Sequence, residues 1–156
     1  MKYINQIIKL ANRFEKKLVI AQDISTKFGD AEGLFFEGSR QKEFESAAGT
    51  VAMEGNKIIG TGPVGNVLAA YWNKTNKPCS FAMKVNIVSG KGANYEIVAN
   101  PPALKPALTQ AVKSLYNKMF GKDLDKVALE ATAFVRSNPQ GAPNDSKYVV
   151  NSIELA

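Results

Sequence analysis

The chain contains no histidine among its 156 residues. Histidine is the side chain that most readily carries protons near neutral pH. Its absence excludes Ser-His-Asp and Cys-His catalysis, as well as any histidine-ligated zinc or haem. The single cysteine, Cys79, excludes an internal disulfide and a multi-cysteine metal site. With no histidine base to activate its thiol, Cys79 is expected to be a small buried residue and not a nucleophile.

Long apolar runs are also missing. No stretch approaches the roughly 18 apolar residues that cross a bilayer. Polar residues interrupt the first segment, as in Asn5-Gln6 and Asn12-Arg13, so it does not resemble a signal peptide. We therefore expect a protein that is cytoplasmic or within an assembled particle, with no signal peptide and no transmembrane segment. Binding to a membrane surface is not favoured either.

What is present is an ordinary globular composition, with 45% hydrophobic and 22% charged residues. The length is that of one domain. We expect residues 1–156 to form a single domain in three parts. These are an N-terminal amphipathic helix over 1–18, an irregular arm or loop region over 19–62, and an α+β core over 63–156.

The net charge of +6 is unevenly distributed. Residues 1–18 carry a net charge of +4, residues 19–54 carry −4, residues 55–122 carry +8 and residues 123–156 carry −2. Such blocks are typical of a protein with a polyanionic partner or with a neighbouring subunit of opposite charge. A solvated basic face without a partner is the alternative.

The N-terminal segment has one apolar stripe at helical spacing, and its lysines and arginine lie mostly off that stripe. This pattern predicts a basic amphipathic helix over about residues 2–18. Packing against a neighbouring subunit or against its own domain is favoured over an anionic membrane. The candidate subunit contacts are Ile4, Ile7, Ile8 and Phe14.

Residues 19–62 are acidic and punctuated by glycine. Only a short helix over 39–48 stands out within them. Long irregular segments are uncommon in compact domains and are usually functional. We therefore expect an extended arm or loop that becomes ordered against a partner.

The remaining chain alternates between strand and helix patterns. A helix is predicted over 65–74, with Pro63 near its start. Alternating apolar residues predict a strand over 81–88 and a second strand over 95–99, joined by a glycine-rich turn. Apolar residues at helical spacing then predict a helix from Leu104 to Met119, with Gly121 at the position of a C-terminal cap.

Residues 126–136 fit either a strand or a helix. Val127, Leu129, Ala131, Ala133 and Val135 alternate with their neighbours, which favours a strand, although the Ala and Leu content also suits a helix. A hairpin loop over 138–145 and a return strand over 148–155 would complete the unit. The predicted fold class is thus α+β. It consists of an antiparallel sheet of about four strands, in hairpin-helix-hairpin order, covered by helices.

Glycine motifs give no convincing cofactor site. Residues 60–65 match G-x-G-x-x-G, but the preceding apolar run is short and no acidic residue follows at the spacing that holds a ribose. A structural turn is favoured there, and a hairpin turn at 89–92. The acidic pairs belong to no recognisable motif, and Asp123 suits the start of a helix or a turn. We predict no cofactor, no metal site and no catalytic residue.

The basic middle region mixes lysines with aromatic residues. Lysines contact phosphates and aromatic rings stack on bases in proteins that bind single-stranded nucleic acid. The candidate contacts to nucleic acid or another anion are Lys74, Lys77, Lys84, Lys91 and Trp72.

Three functions remain open from the sequence. The favoured one is a non-enzymatic structural or assembly subunit of a larger complex, whose partner is itself or another subunit. A virus or bacteriophage particle component is one concrete form of it. The alternative is a nucleic-acid-binding accessory protein that uses the lysine-rich region 55–122. An enzyme relying on Asp, Glu, Lys or Tyr is the least favoured, and no small-molecule substrate is identified.

Overall fold

The computed structural model describes residues 18–19, 33–36, 40–140 and 145–155. Helices and antiparallel sheets are mixed along the chain, which confirms the α+β class. Residues 1–17 of the predicted N-terminal helix, with its candidate contacts Ile4, Ile7, Ile8 and Phe14, lie outside the described residues, and Leu18 belongs to the short strand Leu18–Val19. The elements are β1 (Leu18–Val19), α1 (Gln41–Ala48), β2 (Thr50–Glu54), β3 (Lys57–Thr61), α2 (Gly62–Thr75), β4 (Cys79–Val88), β5 (Gly92–Asn100), a 3-10 turn (Pro102–Leu104), α3 (Lys105–Phe120), α4 (Leu124–Ser137) and β6 (Ser146–Leu155).

The main sheet has the strand order β1–β6–β4–β5, and each neighbouring pair is antiparallel. In β4 every second residue is buried, which confirms the predicted half-buried strand. Period-two alternation has this effect because successive side chains of a strand point to opposite faces of the sheet. The buried set is Cys79, Phe81, Met83, Val85 and Ile87.

The β4–β6 pairing contains an irregularity that brings a polar side chain into the core. Met83 pairs with Asn151, whereas Lys84 pairs with Val149, so Val150 is an extra residue in β6. A bulge of this kind re-aims side chains locally. Val150 and Asn151 are both buried as a result.

The predicted strand over 126–136 is wrong, because this segment is the central part of helix α4. The buried residues of α4 are Leu124, Val127, Ala131 and Val135, which follow the helical period. Leu129, which completed the apparent alternation, is 71% exposed. The C-terminal strand β6 does form, but it pairs with β4 and β1 instead of returning along 126–136. The hairpin-helix-hairpin order is therefore also wrong.

The irregular region predicted over 19–62 contains regular structure from residue 41 onward. Helix α1 confirms the short helix expected there, and β2 and β3 form an unpredicted hairpin. Gly55 lies at the first turn position of this hairpin with φ of 63°, where a two-residue loop takes glycine. The short strands escaped detection because only Ile58 among their side chains is fully buried.

Helices α2 and α3 confirm the two predicted helices, with Pro63 in the first turn of α2. Gly121 ends α3 in the left-handed conformation, with φ of 67°. None of the helices in the described parts of the chain is long and apolar enough to cross a membrane.

An aromatic cluster joins α1 to α3. Its ring centroids lie between 4.7 and 6.2 Å apart, at the tilted and edge-on angles that aromatic pairs prefer. The guanidinium of Arg40 lies 4.7 Å from the centre of one of these rings. The cluster consists of Phe36, Phe44, Tyr116 and Phe120.

Candidate functional site

The candidate lysines do not converge on one surface. Lys74 lies in the last turn of α2, and Lys77 lies in the loop that leads to β4. Lys91 lies in the turn after β4, at the opposite end of this ten-residue strand. A strand of ten residues is about 33 Å long. The exposed lysines at its two ends are therefore spread along the molecule instead of forming one compact patch.

Lys84 lies on the face of β4 that points away from the core, directly opposite Glu96 of β5. Opposite charges at such a cross-strand position offset one another. Trp72 is only 7% exposed and belongs to the hydrophobic core. Its ring therefore has no free face for base stacking in this structure, which corrects the interpretation of Trp72 as a nucleic-acid contact.

The G-x-G-x-x-G segment is a close backbone crossing. A Cβ atom on Gly60 would lie 2.1 Å from the carbonyl oxygen of Gly65, and one on Gly65 would lie 2.3 Å from that of Thr50. Gly62 has φ of 71°, and a Cβ there would lie 2.4 Å from the carbonyl oxygen of Ala47. These glycines allow α1, the hairpin and α2 to approach each other. This confirms the structural interpretation of the motif.

A polar cluster that the sequence did not predict joins β5, α3 and α4. The hydroxyl of Tyr95 donates a hydrogen bond to Asp125 Oδ1, and Lys113 Nζ donates to Asp125 Oδ2 at 2.6 Å. Asp123 caps α4 by accepting hydrogen bonds from the backbone N–H groups of Asp125 and Lys126. The sequence indicated this cap, but it gave no sign that the neighbouring carboxylate meets side chains from two other elements.

The protonation states of this cluster are fixed by its contacts. The hydrogen bonds from Lys113 and Tyr95 lower the pKa of Asp125, although burial acts in the opposite sense. The same pairing with Asp125 raises the pKa of Lys113. Burial and the hydrogen bond to Asp125 raise the pKa of Tyr95. All three shifts lead away from neutral pH, so the cluster suits a structural link and not proton transfer.

A second polar cluster is buried between α1 and β6. Gln41 and Glu45 are each 3% exposed, and Gln41 Nε2 donates to Glu45 Oε1 at 3.1 Å. Asn151, placed in the core by the bulge, donates from Nδ2 to the backbone oxygen of Glu45 at 3.3 Å. The bond from Asn151 attaches α1 to the main sheet, whereas the bond between Gln41 and Glu45 lies within α1.

Large apolar side chains are exposed on two different elements. Leu129 and Phe134 on α4 are 71% and 41% exposed, and Ile59 on β3 is 43% exposed. Phe134 also borders a cavity of about 250 Å³ that is lined in part by Leu34 and Val127. The alternation over 126–136 drew attention to Leu129, but only the helical assignment places it outside the core.

Comparisons with protein-family models, with curated proteins and with solved structures find no match to this chain.

Proposed function

We propose that this protein is a non-enzymatic structural or assembly subunit of a larger protein complex. The observation that carries the proposal is the exposure of large apolar side chains on two elements, the outer face of α4 and the outer face of the β2–β3 hairpin. A subunit with contacts on two sides binds neighbours on both, as closed or extended assemblies require.

The α4 surface has the features of an interface core. Leu129 and Ala133 lie one turn apart on the exposed side of the helix, whereas Phe134 lies about 140° around the helix axis from Leu129, next to the buried face. A single exposed apolar residue is normal, but grouped exposed apolar side chains mark association sites. Lys126 and Glu130 are exposed and lie between Ala133 and Phe134 around the helix axis, so they border the Leu129–Ala133 pair with charge on one side, as in the polar rim of an interface.

A component of a virus or bacteriophage particle is the biological setting that we propose for such a subunit. Particle subunits repeat the same contact many times, so they need surfaces that are complementary to other copies. The alternating charge blocks of the chain support this setting, because oppositely charged neighbours steer subunits into register.

The proposal is tested by measuring the molar mass of the full chain over a range of concentrations at low and high salt. Light scattering after size exclusion is combined with the 260/280 nm absorbance ratio. We expect discrete species larger than a monomer and free of nucleic acid. A monomer at every concentration would contradict self-assembly. A monomer carrying nucleic acid that salt removes would instead support the alternative function of the lysine-rich region 55–122, because phosphate binding weakens steeply with salt.

A matched pair of variants tests the α4 surface itself. Leu129→Glu places a charge at the most exposed apolar position of α4, and we expect it to reduce the assembled fraction. Ala70→Glu introduces the same charge at an exposed position of α2 and serves as the control. Equal assembly of the two variants would remove α4 from the proposed contacts.

A further inference from the structure

The β2–β3 hairpin has two edges, and one of them is closed by a side chain. Asn73 of α2 accepts a hydrogen bond from the N–H of Ile58 at 3.0 Å and donates one to its carbonyl oxygen at 2.7 Å. The amide of Asn73 thus occupies the place that a neighbouring strand would take. Capping the edge of β3 in this way prevents it from pairing with another chain.

One end of the β5 edge is also capped by a helix. Thr132 of α4 bonds both to the N–H and to the carbonyl oxygen of Ala93, and Arg136 Nε donates to the carbonyl oxygen of Lys91 at 2.6 Å. Side chains from neighbouring helices therefore cover part of two strand edges of this fold, at Ile58 of β3 and at Ala93 of β5.

The outer edge of β2 has no such cap. In an antiparallel pair, successive residues direct their backbone groups alternately toward the partner strand and away from it. Because Ile58 directs its groups away from β2, its cross-strand partner Met53 directs its own groups away from β3, as does Val51 two residues earlier. Within residues 40–140 no second strand lies beside β2, and no described side chain bonds to the backbone of Val51 or Met53.

We infer that the free edge of β2 is a strand-pairing site for a second copy of this chain. The inference rests on the proposed function. It identifies a second copy of this chain as the partner at the β2–β3 hairpin, one of the two elements with exposed apolar side chains. Two β2 strands related by a two-fold axis at Ala52 would place Val51 opposite the second copy's Met53, and Met53 opposite its Val51. All four outward N–H groups then donate to outward carbonyl oxygens of the other chain.

The side chains of β2 fit pairing with itself better than pairing with an unrelated strand. The residue at the axis is Ala52, which is exposed, uncharged and small, so two copies meet there without collision. Glu54, the charged residue of β2, would face Thr50 of the second copy instead of another carboxylate. Edge strands that avoid self-pairing normally carry a charge, a proline or a bulge. The interior of β2 has none of these.

Pairing of two β2 strands would also bring apolar side chains of the two copies into contact. Val51 and Met53 are half-buried on the face of β2 that packs against α2. Since a perpendicular two-fold axis keeps this face on the same side in both copies, Val51 would lie beside the second copy's Met53, and Met53 beside its Val51. On the opposite face, Ile59 and Ala52 of both copies would form a continuous apolar row.

A pair of lysine substitutions on the full chain tests this register. Ala52→Lys places like charges opposite each other at the axis, and we expect the association constant to fall about tenfold or more. Thr50→Lys adds the same charge on the same face of β2, but opposite the second copy's Glu54, so we expect association to be unchanged or tighter. Mixing the Ala52→Lys and Ala52→Glu variants in equal amounts should restore association as a heterodimer. Sedimentation velocity measures association of the wild type, of the two lysine variants and of the mixed sample.

Two further measurements distinguish backbone hydrogen bonding at the β2 edge from effects of side-chain charge. Met53→Pro removes an outward N–H without touching the hydrogen bonds inside the hairpin, and it should weaken association while leaving the thermal unfolding midpoint nearly unchanged. Amide hydrogen exchange at Val51 and Met53 should slow as wild-type concentration rises. Exchange at Ile58, which is capped by Asn73, should not depend on concentration.

The outcomes distinguish this inference from the proposed function. If the wild type assembles but Ala52→Lys and Met53→Pro assemble equally well, the β2 edge is not a subunit contact, while the assembly function stands. If the wild type is a monomer at every concentration, this inference and self-assembly are both overturned. Failure of the mixed Ala52→Lys and Ala52→Glu sample to associate would exclude the two-fold register at Ala52.

Discussion

The main sheet and the β2–β3 hairpin are both antiparallel, but they are held in place by different means. β4 buries every second side chain, including Phe81, Met83 and Val85, against the helices. The hairpin buries only Ile58 fully and approaches α2 through glycines, where backbone meets backbone. The main sheet is therefore stabilised by the packing of large buried side chains. The hairpin is held against α2 by close backbone contact, which is possible because glycines at the crossing have no side chain.

The main sheet and the hairpin also differ in how much each would gain from contact with another chain. The hydrophobic effect acts on apolar area removed from water, so the main sheet forms its own core. Among the described residues, the hairpin has one exposed face and one edge without a cap, so it is the part that gains most from a neighbour. The four predictions below test this division, from the largest expected effect to the smallest.

Truncating a core side chain of a helix that packs on the main sheet should have the largest effect on stability. Leu108 in α3 is fully buried, and Leu108→Ala should lower the free energy of unfolding by about 2–5 kcal/mol, because it leaves a cavity. Leu129→Ala in α4 removes the same atoms from a side chain that is 71% exposed and should cost less than about 0.5 kcal/mol. Denaturant unfolding measures both, and equal costs would contradict the assignment of these two helix faces.

Adding one methyl group at the glycine crossing should come next. Gly65 lies inside α2, where alanine is normally the better helix former by about 1 kcal/mol. Gly65→Ala should nevertheless destabilise the protein by about 1–3 kcal/mol, because the new Cβ would lie 2.3 Å from the carbonyl oxygen of Thr50. The neighbouring exposed Asn66→Ala is the control and should be neutral or slightly stabilising. Stabilisation by Gly65→Ala would show that α2 and the hairpin are not in close contact.

Removing the cap of α4 should have a smaller effect. Asp123 accepts hydrogen bonds from two free N–H groups at the start of the helix, and Asp123→Ala should cost about 1 kcal/mol. Asp123→Asn keeps an acceptor at the same place, so its thermal unfolding midpoint should stay close to that of the wild type. A loss as large as that of the alanine variant would point to the charge, and not to the cap, as the stabilising feature.

The Asp125 cluster should give the smallest effect, and one that depends on pH. Its contacts lower the pKa of Asp125 below the ordinary value of 3.8, so the folded state favours the ionised form. The stability from this shift is present above the ordinary pKa and is lost as pH falls through the folded-state pKa. The gap in unfolding midpoint between wild type and Asp125→Asn should therefore be larger near about pH 6 than near about pH 2. A gap independent of pH would contradict the pairing with Lys113 and Tyr95.

Local patterns predicted the elements whose buried residues repeat at one period. The alternation in β4 and the helical stripe of α3 each have a single interpretation, and both elements formed as expected. Residues 126–136 fit both the strand period and the helix period. Leu129 completed the apparent alternation of a strand, although its side chain is exposed. The hairpin was missed for the opposite reason, since two short strands with one fully buried side chain carry almost no periodic signal.

The candidate sites divide in the same way. Local reasoning gave the glycines of residues 60–65 a structural role and offered Asp123 as a helix start or a turn. The structure has a close backbone crossing at the first and a helix cap at the second. Trp72 was assigned to a nucleic-acid surface because composition does not reveal which face of α2 meets the core. The contacts of Asp125 with Lys113 and Tyr95 join three separate elements, so no local pattern contains them.

By itself, the sequence determined the α+β class, helices α2 and α3, strands β4 and β5, and the exclusion of histidine and multi-cysteine chemistry, because each depends on residue type or on spacing over a few turns. Only the tertiary structure decided which strands pair, which apolar side chains stay outside and which strand edges are capped. These features arise where segments distant in the chain compete for the same neighbours. The edge of β2 is one of them, since among the described residues Asn73 covers part of the β3 edge and Thr132 part of the β5 edge, whereas no side chain covers the edge of β2.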